Sequence, residues 1–325
     1  MTTLAVIGAG QLGSRHLQAL GLITCPVNIE VVDPSTASLT RAHELFYQVP
    51  RNENILSIRF LNRLEDLSQE IAVAVVATNS DIRRKVVENL LHTKQVRALL
   101  LEKILFQKYE DYTAVYELLQ AKKVKAWVNC PRRMWPFHAE LKHLMDGSRW
   151  VEYTVSGSNW GLGCNAIHFI DHLASITGSL NFTFNTNLLD REIKKSSRQG
   201  YIEFTGTLYG WTERHDKIYL TSYPEGNAPV LVEINSDILR CVLRENEGIA
   251  MISQKETGWQ WKELNFTVPY QSQLTHLVVM EILQKGTCQL TNYDDSWQMH
   301  IPLLNSLTEH YQKYAGGDRG FCPIT

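Results

Sequence analysis

Leu4-Ala5-Val6-Ile7-Gly8-Ala9-Gly10-Gln11-Leu12-Gly13 decides the fold. A short apolar, β-branched run ends in three glycines spaced GxGxxG, and a helical stretch from Leu12 to Leu22 follows. In that strand-turn-helix setting each glycine has a physical job. The first allows the tight turn, the second lets backbone approach a pyrophosphate, and the third lets the helix pack on the strand, with phosphate at the helix N-terminus. Asp33 closes a second strand, Ile29 to Val32, twenty positions beyond Gly13, where a carboxylate accepts hydrogen bonds from an adenosine ribose. The spacing predicts a dinucleotide site made of Gly8, Gly10, Gln11, Leu12, Gly13 and Asp33. The competing reading is a glycine turn followed by an Asp that caps the next helix.

Working outward, the first hundred residues alternate apolar runs with helical stretches. A helix is expected over Ser38 to Tyr47, a strand near Ile58, and a fully buried parallel strand over the continuous apolar run Ile71 to Ala77. A helix over Ile82 to Leu91, a strand over Ala98 to Leu101 and a helix over Tyr109 to Ala121 complete a doubly wound α/β sheet. From Val151 the texture changes to short alternating strands without long helices between them: Val151 to Val155, Tyr201 to Tyr209, Lys217 to Ser222, Val230 to Ile234 and Ile249 to Gln254. These predict a large, mostly antiparallel open sheet in an α+β domain closed by helices over Leu274 to Leu283 and Met299 to Tyr314. The expected division is a Rossmann domain over residues 1–125 and a substrate-binding and oligomerisation domain over 126–325.

Composition excludes several classes. The 325 residues are 44% apolar and 20% charged, with 32 Lys plus Arg against 34 Asp plus Glu, so no charge excess calls for nucleic acid or an anionic membrane. The run Ile71 to Ala77 falls far short of the ~20 residues that span a bilayer. The start MTTLAVIGAG has no basic n-region followed by an apolar h-region, and a cytoplasmic protein is expected. Cys25, Cys130, Cys164, Cys241, Cys288 and Cys322 are scattered without CxxC spacing, so neither a metal site nor a disulfide framework is expected.

Three strand-end segments and one helical segment narrow the reading: Val76-Ala77-Thr78-Asn79, Leu101-Glu102-Lys103, Asn129-Cys130-Pro131-Arg132-Arg133, and His168 within the run Gly163 to Asp171. Strand C-termini of an open α/β sheet line its ligand crevice. Together these segments resemble the Gfo/Idh/MocA family, the glucose-fructose oxidoreductase and inositol dehydrogenase group. The resemblance implies a Rossmann domain followed by an α/β domain with a large open sheet, the nicotinamide ring lying between them. It implies cofactor contacts from Thr78, Asn79, Glu102 and Lys103. Lys103 matches the Lys of the family's EKP motif and His168 the His of its DxxxH motif, which makes both candidate catalytic groups, since hydride removal from an alcohol carbon needs a group to take the hydroxyl proton. Arg132, Arg133, Trp160, Asn165, His168, Asp171 and His172 are the candidate substrate contacts. A planar guanidinium suits a substrate phosphate or carboxylate, and Trp160 suits a sugar ring.

Each residue also has a plainer reading: a lysine reaching solvent, a core histidine, surface arginines, and Trp127, Trp135, Phe137 and Trp160 as core aromatics. Two departures from the family stand out. Ile104 occupies the usual Pro position after Lys103, and Cys164 stands where sugar dehydrogenases of the family often carry Asp, leaving Asn165 or Asp171 to compensate. The implied activity is NAD(P)-dependent oxidoreduction of a secondary hydroxyl or ketone on a sugar, cyclitol or nucleotide-activated sugar. NAD is expected over NADP, because Asp33 repels a 2′-phosphate and Asp33-Pro34-Ser35 offers no arginine, Arg41 being the nearest basic residue. An NAD-using glycosidase and a non-catalytic dinucleotide-sensing regulator of the same family are the alternatives. A homodimer or homotetramer is expected, because an open sheet invites a second copy onto its outer face.

Overall fold

A computed structural model of the chain describes residues 2–316 and 320–325. Its contacts divide it into two units, the first comprising Met1–Phe106, Glu110–Pro131 and Pro269–Asp294. Strands β1 (Thr3–Ile7), β2 (Val27–Val32), β3 (Ile55–Leu61), β4 (Glu70–Val76), β5 (Gln95–Leu101) and β6 (Lys125–Val128) alternate with helices α1 (Gln11–Leu20), α2 (Thr36–Phe46), α3 (Ser80–Thr93) and α4 (Tyr109–Lys122). The strands lie in the order β6-β5-β4-β1-β2-β3, all parallel, with the short strand Thr291–Asn292 added antiparallel to β6. Every residue of β1 is buried, as is all of β4 after Glu70, which is why these runs carry no polar alternation. Chain order reverses direction between β1 and β4, and that switch opens the crevice at the strand C-termini.

The division corrects the single boundary expected after residue 125. Lys125–Val128 pairs with β5 and extends the first unit to Pro131. The segment 269–294 also returns to it, because helix Thr275–Lys285 packs on α1 and β4.

The second unit contains Gln107–Tyr109, Arg132–Val268 and Asp295–Thr325. It holds α5 (Pro136–Leu144), β7 (Val151–Ser158), α6 (Leu162–Thr177), β8 (Phe182–Leu189), β9 (Lys194–Lys195), β10 (Ile202–Glu203), β11 (Gly206–Thr212), β12 (Lys217–Tyr223), β13 (Leu231–Ser236), β14 (Leu239–Arg244), β15 (Ile249–Gln254) and β16 (Trp261–Asn265). Eight strands form one sheet in the order β16-β15-β14-β13-β7-β12-β11-β8, antiparallel except where β12 runs parallel to β7. Val151, Tyr153 and Val155 of β7 face the core under α6, and the residues between them do not. The run Tyr201 to Tyr209, expected as one strand, divides into β10 and β11, and β10 pairs with β9 outside the large sheet. Among the described residues no helix is long and apolar enough to cross a membrane.

Candidate functional site

The glycine loop has the geometry that its spacing predicts. Gly8 is buried at φ +94°, and its N–H donates to the Val32 carbonyl at 2.8 Å, tying the turn to β2. A Cβ on Gly13 would sit 1.7 Å from the Gly8 carbonyl oxygen, so only glycine lets α1 approach the turn. Gly10 faces open space, with nothing within 4 Å of a Cβ placed there. It caps α1 without a side chain, so no side chain covers the first-turn amides that follow it. Gln11 is exposed and Leu12 half-buried. Asp33 Oδ2 accepts the Ala9 N–H at 2.7 Å and Oδ1 accepts the Ser35 N–H at 2.8 Å. The cap of α2 is Ser35, whose hydroxyl accepts from Ser38 N, so Asp33 serves the loop rather than the helix. An open backbone cradle beside a fixed carboxylate fits a dinucleotide.

On the other side of the switch, Asn79 is exposed at the start of α3 and makes no cap bond, while the Thr78 carbonyl accepts from Arg83. Arg83, 1% exposed, also donates to the carbonyls of Ile104 and Leu105, so one guanidinium fixes the chain on both sides of a strand gap. The Lys103–Ile104 peptide is cis, and Lys103 is half-buried at the end of β5.

Glu102, 3% exposed, belongs to a closed ring of five side chains. His16 Nε2 and Asn129 Nδ2 both reach Glu102 Oε1, at 2.8 and 2.5 Å. Asn129 Nδ2 also donates to Gln271 Oε1 at 2.9 Å, Gln271 Nε2 to Thr275 Oγ1 at 2.9 Å, and Thr275 meets His16 Nδ1 at 2.8 Å. Burial alone would raise the Glu102 pKa, but the His16 bond and charge, Lys103 and Asn129 outweigh it and hold the carboxyl below the ordinary range. Sequence reading missed His16, Gln271 and Thr275 as site residues. The available signal was His16 itself, a polar residue among buried Ser14, Leu17 and Leu20 on α1.

In the second unit, Cys164, Asn165 and His168 form a half-exposed stripe along α6. Trp160 donates its indole N–H to the Thr221 carbonyl at 2.7 Å and meets Phe169 edge-on at 5.5 Å. The Asn165 amide donates to the Trp160 carbonyl at 2.7 Å. A carboxylate does reach Cys164, but it is neither of those expected to compensate: Glu203 accepts the Gly163 N–H at 2.7 Å and bonds the Cys164 side chain. Burial pushes the Glu203 pKa up against those hydrogen bonds.

Four of the expected substrate contacts have partners within the protein. Asp171 and His172, at 0% and 1% exposure, are withdrawn from solvent. Asp171 accepts from Arg133 Nε at 2.8 Å, and His172 Nδ1 meets the Tyr153 hydroxyl at 2.8 Å. Arg132 pairs with Glu245 and lies over the Phe169 ring at 4.1 Å. Both guanidiniums thus already have carboxylate partners, because the turn that carries them needs its charges neutralised where α5 and α6 pack. All six cysteines are free thiols, and among the described residues no group of three His, Cys, Asp or Glu side chains is placed to hold a metal.

A parallel sheet with GxGxxG at its first turn and a carboxylate at the end of its second strand defines a nicotinamide-dinucleotide-binding Rossmann domain. Residues 2–130 match the model of the Gfo/Idh/MocA family, an oxidoreductase family with an NAD-binding Rossmann fold. A search of curated proteins finds no match. Among solved structures the chain is similar to UDP-N-acetylglucosamine 3-dehydrogenase from Acidithiobacillus ferrooxidans, at 13% identity, covering 94% of this chain and 96% of that one with a TM-score of 0.69. It is similar to scyllo-inositol dehydrogenase from Lactobacillus casei at 14% identity, 96% and 97% coverage and a TM-score of 0.66. It is also similar to biliverdin reductase from Synechocystis sp. PCC 6803 at 11% identity, 94% and 98% coverage and a TM-score of 0.69. At these identities the likeness is one of fold.

Proposed function

We propose that this protein is a cytoplasmic NAD-dependent dehydrogenase that interconverts a secondary hydroxyl and a ketone on a sugar, cyclitol or nucleotide-activated sugar. The observation that carries the reading is the loop, open at Gly10 and braced by the Asp33 contact with Ala9, together with Lys103 directly after buried Glu102 at the end of β5. The bound nicotinamide supplies hydride chemistry. Gly8, Gly10, Gln11, Leu12, Gly13, Asp33, Thr78 and Asn79 hold the cofactor. Lys103 and His168 handle the proton of the reacting hydroxyl, and Trp160 and Asn165 flank the substrate. Asp33 favours NAD, because its fixed carboxylate repels a 2′-phosphate.

The active form is proposed to be a homodimer or homotetramer. The sheet face opposite α6 carries Trp211, Tyr223, Met251 and Trp261, exposed by 39% to 50%, and a second copy would cover them. The test is NAD⁺ reduction at 340 nm with inositols, hexoses and nucleotide-activated sugars, and NADH oxidation with a bilin, since one solved structure of like fold reduces biliverdin. Turnover with a polyol or sugar supports the reading. Turnover with the bilin alone replaces its substrate class, and NADH binding without turnover of any of them favours the dinucleotide sensor.

A further inference from the structure

Strand register places a charged arm at the end of the large sheet where α6 begins. Gly206 of β11 stands opposite Ser222 of β12 and Leu189 of β8, while Ser222 and Tyr223 stand opposite Gly157 and Ser158 of β7. The ends of β7, β8 and β12 and the start of β11 therefore share one end of the sheet, the end at which β7 hands the chain to α6. From there residues 190–205 project as a hairpin. The Thr205 carbonyl accepts the Asp190 N–H at 2.9 Å, β9 pairs with β10, and the Tyr201 carbonyl accepts the Ser196 N–H at 2.9 Å. Glu203 fastens this hairpin to α6 through the Gly163 N–H, and the Pro323 carbonyl takes the Ile202 N–H at 2.9 Å.

The hairpin carries Arg191, Lys194, Lys195 and Arg198 against Asp190 and Glu192, and the Asp190 carboxylate is taken by the Thr205 hydroxyl at 2.7 Å. Elsewhere in the second unit Arg132, Arg133, Arg149, Arg214 and Arg244 each pair with a carboxylate, whereas among the described residues none of the four hairpin cations is ion-paired. Lys194 stands opposite Glu203, and Lys195 opposite Ile202. Opposed residues of paired strands share a face and successive ones alternate. Half-buried Lys194 therefore leaves the strand on the side of Glu203 and the first turn of α6, and exposed Lys195 leaves on the other side. Arg198 is exposed at the tip. Cations without a counter-charge, held beside the half-exposed stripe of Cys164, Asn165 and His168, fit an anionic group that the substrate brings.

We infer that this hairpin is a phosphate-recognition arm of the substrate site, in which Lys194 and Arg198 bind the diphosphate of a nucleotide-activated sugar whose sugar ring lies along Asn165 and His168. The inference rests on the dehydrogenase reading above and narrows its substrate class. A free sugar or an inositol brings no charge to the arm and gains nothing from it. A diphosphate brings several negative charges and acceptor oxygens, which ammonium and guanidinium groups bind through charge-assisted hydrogen bonds. The cofactor's own pyrophosphate has its donors at the start of α1.

Calorimetry on protein saturated with NADH, so that the glycine loop is filled, tests the arm with UDP-N-acetylglucosamine and GDP-mannose beside free N-acetylglucosamine and mannose. At least one sugar nucleotide is expected to bind about ten-fold or more tightly than its free sugar. Lys194→Ala and Arg198→Ala are each expected to weaken that binding about ten-fold, Lys195→Ala less than about three-fold, and Lys194→Arg to retain it. The difference between wild type and Lys194→Ala should shrink in about 0.5 M NaCl, as a charge contact requires. Melting temperatures recorded beside the titrations confirm that each variant is folded. Equal affinity for sugar nucleotides and free sugars, binding of neither nucleotide, or unchanged binding in both Lys194→Ala and Arg198→Ala overturns the inference. A loss in Lys195→Ala equal to that in Lys194→Ala overturns it too, since it reduces the arm to general surface charge. Inositol-dependent NAD⁺ reduction by the wild type would leave the dehydrogenase reading standing in any of these cases, whereas failure of the wild type to bind NADH removes that reading itself.

Discussion

Arg132 grips Glu245 with two parallel hydrogen bonds, Nε to Oε1 at 3.1 Å and Nη2 to Oε2 at 2.6 Å, and His138 Nε2 stands 3.4 Å from the same carboxylate. Around this pair the second unit buries two imidazoles, since the His138 and His172 rings lie 4.2 Å apart. Burial would raise the Glu245 pKa, but Arg132 and His138 outweigh it and bring the carboxyl down to about 2. Burial likewise lowers His138, and it lowers His172 well below the ordinary imidazole value, His138 and both arginines adding to the effect.

An acid-sensitive second unit follows from the signs. A group whose folded pKa is depressed contributes stability that is present above its unfolded pKa and is lost as pH falls toward the folded value. For the two histidines loss begins below about pH 6.5, and for Glu245 below about 4.5, continuing toward 2. The Glu245 contribution alone is on the order of 3 kcal/mol. Urea midpoints measured at pH 7.5, 6.5 and 5.5 should fall with pH, and His172→Gln should flatten the slope. A midpoint independent of pH across this range would contradict the burial of the pair.

Two glycines of one loop should behave oppositely. Gly10→Ala adds its methyl to open space, so the melting temperature should hold while NADH affinity drops at least ten-fold, because the methyl occupies the path of the pyrophosphate. Gly13→Ala drives a methyl into the Gly8 carbonyl and should cost ~3 kcal/mol or more. Thermal melts with and without NADH check both.

Asp33→Ala should weaken NADH by ten-fold or more and narrow the preference over NADPH, since it removes both the ribose acceptor and the brace on the Ala9 N–H. Fluorescence titration of both reduced cofactors reads the outcome. Tighter binding of NADPH by the wild type would reverse the cofactor assignment.

Lys103→Ala and His168→Ala should each lower turnover ~100-fold or more with NADH affinity nearly unchanged, because proton transfer contributes about 10²- to 10⁴-fold and neither side chain holds pyrophosphate. Steady-state rates beside binding titrations separate the two effects. Wild-type turnover in Lys103→Ala would move the glycosidase or sensor reading ahead.

The sequence by itself determined whatever is local in the chain. GxGxxG between a strand and a helix, Asp33 at the end of the next strand, and the unbroken apolar run of β4 each follow from backbone sterics or two-sided burial within a dozen or so residues, so the first sheet was readable. Lys103 and His168 were named from matched motifs. Tertiary structure alone decided the partners. Nothing in the spacing of His16, Glu102, Asn129, Gln271 and Thr275 marks a ring, because its members come from four distant stretches and meet only when 269–294 packs back on the first unit. For the same reason the pairing of Arg132 with Glu245, of Arg133 with Asp171 and of His172 with Tyr153 was not legible in the sequence. A charged side chain in a sequence shows that it needs a counter-charge, and only packing shows whether the protein already supplies one.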